Sequence, residues 1–384
     1  MPPSWSAIAI LHGSGIALAL AATGYAWIAA WAVLKGSRVW APDRAGKAIA
    51  ASILKPLHGA EPRLYENLRS FCAQAHPDYQ LVFGVRDPDD PAVAVVERLR
   101  IEFPQRPIAL AIDPRVHGAN LKVSNLMNML PHAQHDVLVL ADADISVAPD
   151  YLARVIAPLS DAGVGIVTCL YRGLPGPSFW SRLGRLFIDD WFAPSVRLSH
   201  AFGSTRFAFG STIALRRDAL QAMGGFEALR DTLADDFWLG ELTRRAGLRT
   251  VLSDVVVGTE VTESSLAELW SHELRWLRTI RSIAPAGFAM TFVCFTSPLL
   301  LLGLCLAPGW VTGSLALLGG GARVLLHFLQ RRTSDEAFAW HEFLLVPLRD
   351  TLLLLEWAIA LAGWQVRWRG QVLHARGGGS APQA

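Results

Sequence analysis

The sequence predicts a mostly parallel α/β domain held between N-terminal and C-terminal transmembrane helices. Three observations predict it: an uncharged run from Ala7 to Leu34, a return to apolar composition from Gly287, and apolar strand-like runs alternating with amphipathic segments in between. A chain of 384 residues, 52% of them hydrophobic, with a mean hydropathy of +0.31, has room for one catalytic domain of about 250 residues beside its membrane segments.

The first run is long enough to span a bilayer, which takes about 20 apolar residues. A cleaved signal peptide is the rival, since ALALAAT resembles a small-residue cleavage site. No Lys or Arg precedes the run, however, and it continues well past that point, so an uncleaved anchor over 1–36 is expected. Lys35, Arg38, Arg44 and Lys47 follow, and the positive-inside rule then puts the next domain, 37–285, in the cytoplasm.

That domain reads as strands at 48–56, 79–85, 108–112, 136–142 and 165–170, interleaved with helices at 61–74, 91–103 and 119–130. In parallel sheets of this kind, ligands collect beyond the carboxyl ends of the strands. Further on, 288–307 and 309–328 are candidate spans joined by a tight Ala307-Pro308-Gly309 turn. A third stretch, 343–365, contains Arg349, Asp350 and Glu356. Three full spans across 286–366 would put the basic 367–384 tail (Arg367, Arg369, Arg376) outside, against the charge rule. One segment is therefore expected to be re-entrant or interfacial, its charges buried against protein or water.

Composition excludes several classes. A net charge of +2 gives no support for nucleic-acid binding. Cys72, Cys169, Cys294 and Cys305 form no CxxC pair, which leaves neither a zinc site nor a disulfide framework. A transporter is excluded because most polar chemistry lies outside the spans.

Four acidic or basic clusters carry the chemistry. Asp87, Asp89 and Asp90 in VRDPDDPA follow a strand; one carboxylate there could accept the imide N–H of a uracil, although a polar turn is the plainer reading. Asp142 and Asp144 form a D-x-D at the end of a very apolar strand, a pair able to hold a hard cation that also binds a diphosphate. Asp235 and Asp236 precede a helix, either as caps or as a general base for an acceptor hydroxyl. Finally, SHELRWLRTIR follows a capping box of Ser265 and Glu268. There Leu266, Leu269, Trp270, Leu277 and Ile280 form an apolar stripe, and His272, Arg275, Trp276 and Thr279 share another face. Lys122, in a glycine-containing loop leading into a helix, is a candidate diphosphate contact. The segment 176–192 is expected to be an interfacial amphipathic helix, with Arg182 and Arg185 able to reach phosphates and 265–283 as its companion.

In this order the clusters resemble the membrane-bound GT-A glycosyltransferases, which have a Rossmann-like, mostly parallel sheet, and specifically the ceramide glucosyltransferase family, glycosyltransferase family 21. The family's D1, D2, D3 and (Q/R)xxRW signature maps onto Asp90, Asp142, Asp236 and Arg275–Trp276, with SILKPLHGAEP, GSTIALRRDALQAMGGF and ADDFW as further landmarks. His272 stands where the signature has Gln or Arg. The HELRWLRTIR and IDDWFAPSVRL stretches look most like the bacterial hopanoid-associated branch.

The resemblance implies an inverting enzyme of the bacterial inner membrane that uses a UDP-sugar, a lipid acceptor and Mg²⁺ or Mn²⁺. Asp236, with Asp235, His272, Arg275 and Trp276, would be catalytic. Pro56, Asp87, Asp90, Lys122, Asn125, Asp142 and Arg275 would bind the donor. Gly210, Ser211 and Trp276 would meet the acceptor, and Asp142 and Asp144 the metal. The expected reaction moves N-acetylglucosamine from UDP-GlcNAc to bacteriohopanetetrol, the alternatives being UDP-glucose to ceramide or a processive polysaccharide synthase. A catalytically silent membrane scaffold is the rival outside enzymes.

Overall fold

The computed structural model describes residues 5–36, 49–334, 339–363, 365–368 and 371–374. Arg38, Arg44, Lys47, Arg369 and Arg376, on which the charge-rule argument drew, lie outside the described residues. The chain divides into two compact units, one from Ser37–Leu174 and Ser204–Glu260, the other chiefly from Met1–Gly36, Pro175–Gly203 and Val261–Ala375.

The first unit is an eight-stranded sheet: β1 (Ala51–Pro56), β2 (Tyr79–Val85), β3 (Ile108–Ile112), β4 (Val137–Leu140), β5 (Ile145–Ser146), β6 (Val164–Pro175), β7 (Ile213–Arg216) and β8 (Arg249–Val261). Their spatial order is β3-β2-β1-β4-β7-β6-β8-β5. The β3-β2-β1-β4 half is wholly parallel, with Ala51 opposite both Tyr79 and Val137. β1, β2 and β4 are buried along almost their whole length and read as largely apolar runs. Alternate side chains feed two cores: Ile53, Phe83 and Val139 point to one, Leu54, Val82 and Leu138 to the other.

The sequence reading located β1 to β4 and β6 but not β5, β7 or β8, which with β6 make the antiparallel half. β7 runs against β4 and β6, and β8 pairs with β5. Arg249, Ser253 and Asp254 interrupt the apolar pattern of β8, which hides a strand of 13 residues.

The second unit is helical. Ala7–Lys35 and Trp310–Thr333 are long and apolar enough to cross a membrane. The expected span at 288–307 is instead Pro285–Cys294 joined to Thr296–Leu306 with a 70° bend, a broken span or a re-entrant loop. Small residues let these helices approach closely. A Cβ on Gly303 would lie 2.9 Å from Ala19 Cβ, and one on Gly319 would lie 2.7 Å from Thr23 Oγ1.

The charges of the third apolar stretch are indeed buried against protein. Val346–Ala360 is a 15-residue helix of about 22 Å, too short to span alone. Its Arg349 reaches Glu356 at 2.7 Å and Glu273 at 2.7 Å, while Asp350 meets Arg323 at 3.0 Å and accepts from Ser297 Oγ at 2.8 Å. Arg323 continues the chain to Asp190 at 3.1 Å, which His327 also contacts at 2.9 Å.

Two amphipathic segments differ from expectation for the same reason, the need to pair buried charge. Phe179–Phe187 runs into a π-helical turn, Ile188–Phe192. Arg185 is buried and paired with Asp189 at 2.9 Å, so it is not free for a phosphate. In Leu266–Ile283 the buried stripe is Leu269, Glu273, Leu277 and Arg281, whereas Leu266 is exposed. Ser265 caps that helix as expected, but Glu268 Oε2 accepts from the Ser264 N–H at 2.7 Å instead of from Ser265.

Candidate active site

The exit of β4, the entry to β7 and two helix starts of the α/β unit bring one set of polar side chains together. β4 ends at Leu140, and the chain turns through Asp142 and Asp144 before β5. Lys122, in the first turn of the helix Leu121–Met129, places its Nζ 2.6 Å from Asp142 Oδ1 and 3.6 Å from Asp235 Oδ2. Asp235 and Asp236 open the helix Asp235–Arg245, where the helix dipole favours negative charge. Gly210, just before β7, donates its N–H to Asp236 Oδ2 at 3.0 Å. A Cβ there would lie 3.0 Å from Asp142 Oδ2 and 3.1 Å from Lys122 Nζ, so the gap between the two acid groups is glycine-sized.

Electrostatics separate the roles of these acids. Burial and the neighbouring charge of Asp235 push Asp236 up to about 6, against the opposing pull of Lys122. A carboxylate in that range is suited to general-base work near neutrality. Burial pulls Lys122 down, but Asp142 and Asp235 outweigh it and hold the ammonium above its ordinary range. Asp144 is raised by burial and then by the charge of Asp142; its Oδ2 accepts from Thr259 Oγ1 at 2.7 Å.

The remaining expected donor residues are placed as follows. The Asp90 carboxylate accepts the N–H groups of Gly59 at 3.0 Å and Ala92 at 2.9 Å, with His58 3.6 Å away. It thereby pins the loop after Pro56 and has most of its acceptor capacity in use. Asp87 is exposed and accepts the Asp89 N–H at 2.9 Å, an Asx-type turn. Asn125 is buried and donates to the Gly84 carbonyl at 2.8 Å, which fastens its helix to β2. Ser211 is buried with its hydroxyl on the Cys169 carbonyl at 3.3 Å.

In the helical unit, His272 Nδ1 is hydrogen-bonded to Glu263, and its ring lies edge-on to Trp276 with centroids 4.7 Å apart. Trp276 also contacts Phe187, at 5.4 Å. Burial pushes Glu263 up, but the His272 bond outweighs it and holds the carboxyl below its usual value. Arg275 accepts the Thr279 hydroxyl on its carbonyl at 2.9 Å.

Several site residues were not singled out by the sequence reading. Lys55 is fully buried in β1, with its Nζ donating to the Asp142 carbonyl at 2.7 Å and lying 3.6 Å from the centre of the Phe71 ring. Burial lowers it to about 7, despite the nearby charges of Asp144 and Asp142. A lone lysine inside an apolar strand is the signal that SILKP carries for it. Asn120 and Thr259 carried no comparable signal, since their partners lie 115 residues away in sequence.

A D-x-D turn at a parallel-strand exit, facing a raised carboxylate across a glycine, on a sheet of this order, defines a GT-A-type glycosyltransferase. The family model for glycosyl transferase family 21 matches residues 15–381, and the chain belongs to that family. Ceramide glucosyltransferase 3 of Caenorhabditis elegans is 23% identical over 344 residues, 85% of this chain and 73% of that one. Beta-monoglucosyldiacylglycerol synthase of Synechocystis sp. is 26% identical over 219 residues, 54% of this chain and 43% of that one. A mannosyltransferase from Pyrobaculum calidifontis, solved in complex with GDP-Man and Mn²⁺, shares the fold with a TM-score of 0.53 and 20% identity, covering 90% of this chain and 99% of that one. The chain is a glycosyltransferase of that family, with two helices long and apolar enough to cross a membrane.

Proposed function

We propose that this enzyme moves a sugar from a UDP-sugar to the hydroxyl of a membrane lipid with inversion at the anomeric carbon. The observation that carries the reading is Asp236, half-buried, raised to about 6 and held by the Gly210 N–H beside the D-x-D turn. Asp236 takes the proton from the acceptor hydroxyl as that oxygen attacks the anomeric carbon, and the nucleoside diphosphate leaves. One base without a partner nucleophile makes the reaction a single displacement. Lys122 steadies the diphosphate, and Arg275 and Trp276 keep the roles that the family pattern implies, at the diphosphate and the acceptor.

The residues at the turn fit a divalent cation. Among the described residues no three His, Cys, Asp or Glu side chains gather as a closed metal site. Asp142 and Asp144 are nevertheless an all-oxygen pair, and Asp144 is raised by burial and by its neighbour, so positive charge is what it lacks. Mg²⁺ or Mn²⁺ bound there supplies charge neutralisation for the departing diphosphate. The mannosyltransferase from Pyrobaculum calidifontis solved with Mn²⁺ supports this reading.

The donor and acceptor are UDP-GlcNAc and a hopanoid polyol such as bacteriohopanetetrol, at a cytoplasmic face of a bacterial inner membrane. HELRWLRTIR, with His272 in the signature position, supports that choice. Similarity to ceramide glucosyltransferase 3 over 85% of this chain favours a second reading, UDP-glucose to ceramide. The test is deletion of the gene in its host followed by lipid profiling. Loss of glycosylated hopanoid supports the first reading; loss of glucosylceramide with hopanoids untouched supports the second.

A further inference from the structure

We propose that Asn120 is a positioning residue for the transfer reaction: its amide fastens the Lys122 helix to Asp235 and so sets the charge environment of the base. The inference rests on Asp236 acting as that base.

Asn120 is buried, at 3% exposure, and every polar position of its side chain is used. Its Oδ1 accepts from the N–H groups of Lys122 at 3.0 Å and Val123 at 3.1 Å. Its Nδ2 donates to the Thr232 carbonyl at 2.9 Å and to Asp235 Oδ1 at 3.2 Å. The acceptor half is an ordinary N-cap, which Ser or Asp supplies equally well. The donor half is not needed by a cap, and among the good capping residues only Asn adds two donors to its acceptor.

The surrounding backbone repeats the connection. The Asn120 N–H donates to the Arg230 carbonyl at 2.7 Å, and the Ala119 N–H to Asp231 Oδ1 at 2.9 Å. A Cβ on Gly118 would lie 2.6 Å from the Arg230 carbonyl oxygen, so this approach tolerates no side chain. Asp235 is thus held on one oxygen by the Asn120 amide, while Lys122 Nζ stands 3.6 Å from the other. The charged groups that face Asp236 are Asp235 and Lys122, with Asp142 across Gly210, and its hydrogen-bond donors are the N–H groups of Gly210 and Phe237. Loss of the Asn120 amide frees Asp235 to turn, and Asp235 is the negative charge that acts most strongly on the base.

The test compares Asn120→Ser, which keeps the cap and deletes the amide, with Asn120→Asp, which keeps the cap and the shape but turns a carboxylate oxygen toward Asp235. Serine should lower kcat about tenfold through mispositioning. Aspartate adds like charge beside the acid pair and should move the acidic limb of the kcat profile up by about one pH unit. If Asn120 were only a cap, both variants would keep the wild-type kcat and the wild-type limb, and that result overturns the inference. Asp236→Asn is measured alongside. Turnover retained there overturns the base assignment itself; turnover lost there, with both Asn120 variants at wild-type values, overturns only the role of Asn120.

Discussion

The Gly210 N–H donates to Asp236 Oδ2 at 3.0 Å, and the same glycine leaves only 3.0 Å between a hypothetical Cβ and Asp142 Oδ2. One residue without a side chain therefore sets the spacing between the base and the D-x-D turn. Gly210→Ala should push the two acids apart while leaving both cores untouched. We expect kcat to fall by about 10², the loss that a displacement of about 1 Å brings, with a far-ultraviolet spectrum like that of the wild type. An alanine enzyme of full activity would show that the spacing is not critical.

Asp236→Asn keeps the shape of the side chain and removes its basicity, so transfer should drop at least ~10² while UDP-sugar affinity changes little. In the wild type the base works only when ionised. With Asp236 pushed up to about 6 by burial and Asp235, kcat should decline as pH falls through about 6 and level off above it. A profile flat across that range, with an active Asn variant, would assign the proton transfer elsewhere.

The parallel half of the sheet was legible because each of its strands is a short, nearly unbroken apolar run that ends at a turn signal. The antiparallel half was not, since β8 carries Arg249, Ser253, Asp254 and Glu260 and its pairing with β5 is long-range. The acids were legible as a set, because D-x-D and Asp-Asp stand at element ends. What they touch was not. Lys122 was read as a diphosphate contact, and only the fold reveals that it bridges Asp142 and Asp235. Arg185 was read from helical spacing alone, which gives a face but not whether a charged residue on it is buried with a partner.

EDTA should abolish activity, and Mn²⁺ or Mg²⁺ should restore it, if the all-oxygen pair at the D-x-D turn holds the cation. Asp144→Ala should reproduce the chelated state and resist rescue. Full turnover in exhaustively chelated enzyme would leave the basic residues to stabilise the diphosphate without metal.

Arg349 is fully buried between Glu273 and Glu356. Arg349→Ala leaves two carboxylates uncompensated, and breaking a buried ion pair costs about 3–5 kcal/mol. Thermal unfolding in detergent should register a clearly lower midpoint for the helical unit. A midpoint equal to the wild type would mean that water or rearranged carboxyls replace the guanidinium.

Transfer from a UDP-sugar to a lipid with Asp236 as base is followed directly by where the sugar goes. Purified protein is incubated with radiolabelled UDP-GlcNAc or UDP-glucose, Mn²⁺ and a membrane lipid extract, and the products are partitioned between organic solvent and water. Label should enter the organic phase with the wild type and not with Asp236→Asn. Label that stays in the aqueous phase as polymer, or organic-phase product formed equally by the Asn variant, would contradict it.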